Sequence, residues 1–176
     1  MRMLAAGGVE VVTDGVRSAD DDNPRGYYEF EAVKGLAQDS RWVAQARGKA
    51  VKVISALLPH LPAGQRYKVL FLRRALEEVL ASQRQMLIRR GAPTDKVSDE
   101  RMAALFERHL DQTDRQLSER DDTDVLDLDY RELVRDPAPD CERIISFLGR
   151  PLDASAMQAA VDPKLYRQRV AGGPPA

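Results

Sequence analysis

The sequence predicts an α/β protein in which helices flank a parallel sheet. The clearest evidence lies in residues 67–87, where the uninterrupted apolar run from Val69 to Leu72 is typical of a buried strand. From Ala75 onward, apolar residues recur at steps of three and four, which is typical of an amphipathic helix. This segment is therefore a strand that feeds a helix, and the rest of the chain is placed relative to it.

The same alternation of strand and helix patterns continues along the chain. The predicted strands cover residues 9–13, 49–54, 67–72 and 125–130, and the last has one polar face. Predicted helices or helical turns cover residues 31–36, 40–47, 75–90, 98–120, 141–148 and 153–161, with residues 56–62 as a loop. Strands that alternate with helices indicate a parallel sheet covered on both faces.

Several helix boundaries are marked by residues that cap helices. Ser98 and Asp153 are suited to N-caps, because their side-chain oxygens accept hydrogen bonds from the first turn. Gly91 and Gly149 follow the last apolar residues of their helices, where glycine ends a helix at little steric cost. Residues 92–96 are then a linker between two helices.

The composition limits the kinds of site that the chain can hold. With 176 residues and a net charge of −1, we expect one domain with a sizeable core and no nucleic-acid partner. Cys141 is the single cysteine and cannot form an internal disulfide, while His60 and His109 lack the spacing of metal ligands. Because the net charge is near zero, any anion site must depend on a local group of basic residues. The His and Cys positions predict no bound metal, and the single cysteine fits a cytoplasmic setting.

Both ends of the chain have distinctive patterns. Residues 3–8 look like the end and cap of a helix whose beginning is missing, so we expect a fragment or a truncated product. Residues 171–176 form a Gly/Pro-rich tail that we expect to be disordered. No apolar run approaches the roughly 20 residues of a membrane span. The prediction is a single α/β domain over residues 1–170, incomplete at its N-terminus.

Two arginines, Arg73 and Arg74, lie in the turn after the strand of residues 67–72. Open parallel sheets bind their ligands at the carboxyl ends of strands, and two fixed cations at such a place suit a phosphate. The sequence shows no glycine-rich loop of the kind that holds nucleotide phosphates after a first strand. A phosphate site at this junction is the prediction that the residues themselves support.

Three motifs resemble those of PAPS-dependent sulfotransferases and occur in that family's order. In the first, Arg74 closes a strand and is followed by Glu78, Val79 and, eight positions after the arginine, Ser82, as in the family's 3′-phosphate motif. Residues 125–149 resemble the family's strand, tyrosine, acidic–hydrophobic pair, Asp-Pro and Ile-x-x-Phe-Leu-Gly helix. Residues 22–31 resemble the Asn-Pro-x-Gly-Tyr-x-Glu stretch of bacterial members. Together these similarities cover roughly residues 9–153.

The resemblance implies a P-loop NTPase-like sulfotransferase fold and a donor, PAPS (3′-phosphoadenosine 5′-phosphosulfate), whose sulfuryl group is transferred to a hydroxyl or amine. It assigns Arg74 and Ser82 to the 3′-phosphate and Tyr130 to the adenine, without a metal. An arginine at a strand end can bind a phosphate bidentately, and a serine two turns into the next helix can donate its hydroxyl to the same group. A tyrosine at a strand end is otherwise commonly a core residue, so that alternative stays open for Tyr130.

The catalytic base is less clearly indicated. Lys52 lies on the strand where many family members have a lysine shortly before a catalytic histidine, but Ile54 stands two positions on and His60 does not match that spacing. A carboxylate can replace histidine, since sulfuryl transfer needs only a base within hydrogen-bond reach of the acceptor proton. Asp14 and Glu29 are therefore candidates together with Lys52, and a structural or solvated role is the alternative for each.

The sequence departs from the family pattern at two phosphate-binding loops. The loop that cradles the 5′-phosphosulfate in the family precedes a helix that ends much as residues 1–8 do, and the sequence contains no match to it. The family's C-terminal loop of the Gly-x-x-Gly-x-x-Lys type is also absent. Lys164, Arg167 and Arg169 either supply phosphate contacts instead or form a solvated basic tail. The resemblance therefore implies a chain that is inactive or weakly active as written.

Two other functions are compatible with parts of the pattern. A non-catalytic α/β binding module would keep a partial nucleotide cleft and transfer nothing. A nucleoside or sugar kinase-like protein would need a Walker-type loop and a carboxylate for Mg²⁺, and the sequence shows neither. The class of acceptor stays open between small molecule, glycan and peptide, and so does the formation of a homo-oligomer.

Overall fold

The protein is a mixed α/β structure with a small parallel sheet flanked by helices. The computed structural model describes residues 1–16, 26–89, 91 and 97–165. The sheet has two strands, β1 at Tyr67–Arg73 and β2 at Thr123–Asp129, which pair in parallel from Tyr67 with Thr123 to Arg73 with Asp129. Both strands therefore end at the same edge, and the prediction of a parallel arrangement is confirmed for this pair.

The two strands predicted nearer the N-terminus are shorter than expected. Residues 9–13 and 49–54 meet at one parallel bridge between Val11 and Ala50, so the prediction of two full strands is wrong in extent. Ala50 N donates to the carbonyl of Glu10, and Val12 N donates to the carbonyl of Ala50. An isolated pair of strands is marginally stable, because few backbone groups and little apolar surface are joined. The parallel direction is right even though the ladder is short.

Short 3₁₀ turns connect these segments. They cover Glu31–Gly35, Arg41–Ala46 and Ser55–His60, so the loop predicted at residues 56–62 is partly a helical turn that includes Pro59. Turns of this type are short because their hydrogen-bond geometry is poorer than that of an α-helix. They still bury Val33, Val43 and Leu58, which fixes these connections on the sheet.

The helices follow the predicted caps closely. Helix α1 is Arg2–Ala6, α2 is Leu76–Arg89, α3 is Asp99–Ser118, α4 is Tyr130–Arg135, α5 is Pro137–Leu148 and α6 is Ala154–Ala159. Ser98 accepts from Arg101 N, Asp153 accepts from Ala156 N, and Gly149 ends α5 with a φ of 65°. These three caps confirm the boundaries that the sequence indicated. The linker at residues 92–96 and the tail at 171–176 lie outside the described residues.

Two elements differ from the prediction around β2. Tyr130 begins α4 instead of ending the strand, because the Asp129 side chain accepts from Glu132 N and starts a helix. Helix α5 begins four residues before Cys141, with Asp136 as its cap and Pro137 in its first turn. Proline suits the first position of a helix, where its missing N–H has no helical partner. The chain therefore turns sharply at the carboxyl end of β2.

The core is divided between the two faces of the sheet. On one face, α4 and α5 pack on the sheet and α6 packs on α5. The buried residues of this cluster are Leu128, Leu133, Val134, Cys141, Ile144 and Met157. On the other face, α3 and the 3₁₀ turns contribute Leu36, Val43, Leu58, Leu61, Phe71 and Leu117. Successive strand residues point to opposite faces, so Leu70 and Leu128 belong to the first cluster and Phe71 to the second. Both faces of the strand pair are thus anchored.

Replacing Ile144 by alanine tests the first core cluster. Ile144 is 2% exposed, so we expect Ile144→Ala to lower the free energy of unfolding by about 2–5 kcal/mol through lost burial and a residual cavity. Ile88 on α2 is 54% exposed, and Ile88→Ala should change it by no more than about 0.5 kcal/mol. Urea titration followed by circular dichroism measures both values. Equal effects of the two substitutions would contradict the assigned core.

Candidate functional site

Arg73, the last residue of β1, holds the sheet to the helix on one side. Its Nε donates to Asp127 Oδ1 at 2.7 Å, and its Nη2 donates to Asp114 Oδ1 at 2.6 Å. The guanidinium also lies over the ring of Phe71, 4.0 Å from the centroid. Asp127 belongs to β2 and Asp114 to α3, so Arg73 joins three elements. Two of its partners are carboxylates, and together they exceed its single positive charge.

Arg74 follows β1 directly and has different partners. Its Nε donates to Glu78 Oε2 at 2.9 Å, one turn further along the chain. Its guanidinium lies over the ring of Tyr130, 5.1 Å from the centroid, which is within the range of a cation–π contact. The ion pair with Glu78 and the contact with the ring of Tyr130 together hold the guanidinium at the carboxyl end of the sheet.

Glu78 is the buried acid of this junction. It is 2% exposed, and its Oε1 accepts from Arg131 Nη2 at 3.3 Å, while Oε2 accepts from Arg74. A buried carboxylate is costly unless it is paired and hydrogen-bonded, and both of its oxygens have a guanidinium partner. Its place in the first turn of α2 also favours a negative charge. The carboxylate connects the β1–α2 junction to α4.

A cleft of about 450 Å³ opens at this place. It lies where β1 and β2 both end, which is the edge at which parallel sheets bind ligands. Three arginines and three acids line it together with one alanine: Arg73, Arg74, Ala75, Glu78, Asp129, Arg131 and Glu132. The cleft is therefore strongly charged and small, which suits a compact anion such as a phosphate better than an apolar group.

The other two residues assigned to the donor, Ser82 and Tyr130, are not among the residues that line this cleft. Ser82 is on α2, one turn beyond Glu78, and its side chain is exposed. Tyr130 is partly buried and packs against the first core cluster, with Arg74 over its ring. The structure thus brings Arg74 and Tyr130 into direct contact. Spacing in the sequence did not indicate that pairing.

The candidates for the catalytic base are near one another. Lys52 Nζ is 3.5 Å from Glu29 Oε1. The backbone carbonyl of Glu29 accepts from Thr13 Oγ1 at 3.0 Å and from Asp14 N at 3.4 Å. Residues from three separate segments, around positions 13, 29 and 52, therefore meet in one place. The sequence proposed these side chains individually and the fold groups them.

Asp14 is engaged with the backbone of the neighbouring segments. Its Oδ2 accepts from Glu31 N at 2.6 Å and its Oδ1 accepts from Val16 N at 3.0 Å. These hydrogen bonds, the one from Glu31 above all, hold the pKa of Asp14 below its ordinary value. A carboxylate with a lowered pKa is a weak base, so these contacts favour a role for Asp14 in shaping the loop.

Comparison with known families shows to which family the chain belongs. The family model described as "Sulfotransferase family" matches residues 19–154, more than three quarters of the chain. The chain belongs to the sulfotransferase family. No curated protein and no solved structure matches it. The matched range includes the junction with Arg74 and Glu78, so the family that these motifs indicated is confirmed.

This sulfotransferase-family chain also has two polar contacts that the sequence did not indicate. The first is the contact of Arg131 with Glu78. Its position directly after Tyr130 is the feature of the sequence that could have drawn attention to Arg131. Ser55 Oγ and His109 Nε2 are 2.8 Å apart and partly buried, although 54 residues separate them. No local pattern identifies such a pair, because the contact exists only when α3 packs on the 3₁₀ turn at Ser55–His60.

The described residues can also be compared with the predictions about metals, membrane spans and the basic C-terminal residues. Across residues 1–16, 26–89, 91 and 97–165, no three His, Cys, Asp or Glu side chains are grouped so as to hold a metal ion. In the same ranges, no helix has the length and apolar character required to cross a membrane. Lys164 is exposed in the 3₁₀ turn Pro163–Leu165. Arg167 and Arg169 lie outside the described residues.

The stability of the protein should depend on pH through Asp14. Its folded pKa is lowered from an unfolded value near 3.8, so its contribution is present above that pH and is lost as the pH falls through the folded value. Replacing Asp14 by asparagine should therefore lower the thermal midpoint at pH 6, and this difference should shrink as the pH falls below about 3.8. Thermal scans of both proteins between pH 2.5 and pH 7 measure this. A difference that stays constant over the range would contradict the backbone contacts of the carboxylate.

Proposed function

We propose that the chain is a PAPS-dependent sulfotransferase with a P-loop NTPase-like fold, which transfers a sulfuryl group to a hydroxyl or amine acceptor. The observation that carries this proposal is the position of Arg74, held at the carboxyl end of the parallel sheet by Glu78 and by the ring of Tyr130. A guanidinium fixed at this edge, in a small charged cleft, is suited to a nucleotide phosphate. Membership of the sulfotransferase family supports the choice of PAPS.

Within this proposal, Arg74 and Ser82 bind the 3′-phosphate of the donor. The planar guanidinium can donate two parallel hydrogen bonds to phosphate oxygens, and its partners already restrict its rotamers. Ser82 is one helical turn beyond Glu78 on α2, with an exposed hydroxyl that can reach the same group. Tyr130 contributes by orienting Arg74 and by offering an aromatic edge to the adenine.

Glu29 is the proposed base, with Lys52 beside it. The acceptor hydroxyl gives its proton to the carboxylate, and its oxygen forms the new bond to sulfur. The bond between sulfur and the 5′-phosphate oxygen breaks, and its electron pair leaves with the 3′-phosphoadenosine 5′-phosphate. The Lys52 ammonium lies 3.5 Å from the Glu29 carboxylate and pairs with it before the acceptor arrives.

Binding and transfer make separate demands on the donor site. The family places the 5′-phosphosulfate in a loop that no part of this sequence matches, and that loop stabilises charge at the breaking bond. Binding of the 3′ end depends on Arg74 and its neighbours alone. Nucleotide binding therefore tests the donor site apart from transfer, and weak or absent transfer by the sequence as written stays a prediction. A non-catalytic nucleotide-binding module is the alternative function.

A single domain at residues 1–170 and a cytoplasmic location stay predictions. The class of acceptor and the formation of a homo-oligomer stay open.

Titration calorimetry with 3′-phosphoadenosine 5′-phosphate tests the donor site without requiring activity. Arg74→Ala should weaken binding by about 10- to 100-fold, since a charge-assisted hydrogen bond contributes roughly 1.5–3 kcal/mol. Arg66→Ala is the matched control, because Arg66 lies just before β1 at its other end and is exposed. Equal affinity of the Arg74 variant and the wild type, or no binding by the folded wild type, would contradict the proposed donor site.

A transfer assay with radiolabelled PAPS and a panel of alcohols, sugars, phenols and amines tests the chemical step. Glu29→Gln should lower kcat at least about 100-fold, the size of a general-base contribution, with nucleotide affinity unchanged. Glu31→Gln is the control, because Glu31 is a nearby exposed acid paired with Lys34. Full activity of the Glu29 variant would remove it as the base. Nucleotide binding by the wild type without any transfer would favour the non-catalytic alternative.

A further inference from the structure

Ser55 and His109 form a hydrogen-bonded pair outside the cleft at the end of the sheet. Ser55 Oγ is 2.8 Å from His109 Nε2. Ser55 begins the 3₁₀ turn Ser55–His60, and His109 lies in the middle of α3, which packs on that turn. Neither residue lines the cleft that contains Arg74, so the donor site proposed above leaves this pair without a role.

The two side chains have the chemistry of an activated nucleophile. A serine hydroxyl is a weak nucleophile at neutral pH and becomes reactive when a base within about 2.6–3.2 Å takes its proton. A neutral imidazole with its proton on Nδ1 has a lone pair on Nε2, so the contact lets His109 accept the hydrogen of Ser55. Both side chains are only partly buried, so the hydroxyl is not sealed inside the core.

A cavity of about 310 Å³ lies between the same two elements, and its lining includes Leu58 of the turn and Thr113 and Leu117 of α3. Leu58 is three residues after Ser55. Thr113 is four residues after His109, and its hydroxyl donates to the His109 carbonyl at 2.9 Å. One turn of either kind of helix rises about 5–6 Å, so the cavity begins that far from the pair on both elements. Its size suits one end of a small ligand.

We propose that Ser55, with His109 as its base, is the nucleophile of a second site that hydrolyses small carboxylic esters. The acyl chain of the ester lies in the adjacent cavity, where the buried side chains of Leu58 and Leu117 offer it an apolar surface. This inference goes beyond the proposed sulfuryl transfer and does not depend on it, because the pair and the nucleotide cleft are separate places in the fold.

The reaction balances through the serine, the histidine and one water molecule. Ser55 Oγ forms a bond to the carbonyl carbon of the ester while its proton passes to His109 Nε2. The bond between that carbon and the alcohol oxygen then breaks, and the departing oxygen takes the proton, so Ser55 is left acylated. Water gives a proton to His109 and attacks the acyl carbon, which releases the carboxylic acid and returns the proton to Ser55.

Labelling with diisopropyl fluorophosphate tests the nucleophile without nucleotide or ester. Ser55 Oγ forms a bond to phosphorus, its proton passes to His109, and fluoride leaves, so peptide mapping by mass spectrometry should find the adduct on Ser55. Ser55→Ala should abolish the labelling. Ser118→Ala is the matched control and should label at the wild-type rate, because Ser118 is an exposed serine of α3 that donates to the Arg115 carbonyl.

Hydrolysis of p-nitrophenyl butyrate tests the cavity. Gln116→Phe places a larger side chain in the lining and should raise KM by about tenfold, the effect of displacing one or two methylenes of the acyl chain. Gln112→Phe is the matched control, because Gln112 is exposed one turn earlier on α3 and lies outside the lining. Equal KM values of the two variants, or hydrolysis by the wild type no faster than by Ser55→Ala, would overturn the proposal.

A conservative variant separates the chemistry from the docking of α3 on the turn. His109→Gln keeps a side chain that can hydrogen-bond to Ser55 and should keep the thermal midpoint, yet it cannot take up a proton and should slow labelling at least about 100-fold. His60→Gln should label at the wild-type rate, because His60 is exposed at the end of the same turn. Labelling of His109→Gln at the wild-type rate, or no adduct on Ser55 in the folded wild type, would overturn the proposal. Neither reaction involves the nucleotide, so failure of the donor site would leave both unchanged.

Discussion

The buried carboxylate of Glu78 is the interaction on which the candidate site depends. It lies between Arg74 at the end of β1 and Arg131 on α4, so it joins two chain segments that are distant in sequence. The burial of one charge is tolerated here because each oxygen has a cationic partner. The same ion network fixes where both guanidiniums lie at the edge of the cleft. Stability of the junction and the geometry of the cleft have one physical cause.

The path of the chain around the sheet decides the roles of the two adjacent arginines. Arg73 is still part of β1, and its side chain follows Phe71 toward α3, where it donates to Asp114 and Asp127. Arg74 lies after the strand and contacts Tyr130 and Glu78 instead. Neighbouring residues with the same side chain thus serve different purposes. Both line the cleft, but Arg73 holds the sheet to α3, whereas Arg74 is held by Glu78 and the ring of Tyr130.

Local patterns predicted the elements whose causes are local. The apolar run of β1 and the caps at Ser98, Asp153 and Gly149 all stand where the sequence placed them. The strand lengths at residues 9–13 and 49–54 were harder to predict, because the number of paired residues in a strand depends on which strands lie beside it. Helix α4 was missed for a related reason. The run up to Tyr130 alternates like a strand, while the cap at Asp129 redirects the chain.

By itself, the sequence determined the alternation of strand and helix and membership of the sulfotransferase family, since these depend on patterns within short segments. It also predicted a phosphate site after β1, which stays a prediction. The tertiary structure alone decided that Arg131 joins Arg74 on Glu78, that Arg74 lies over Tyr130, and that Glu29 meets Lys52. Each of these contacts joins residues more than 20 positions apart. Such contacts form only when separate elements pack together, and spacing along the chain contains no record of their distances.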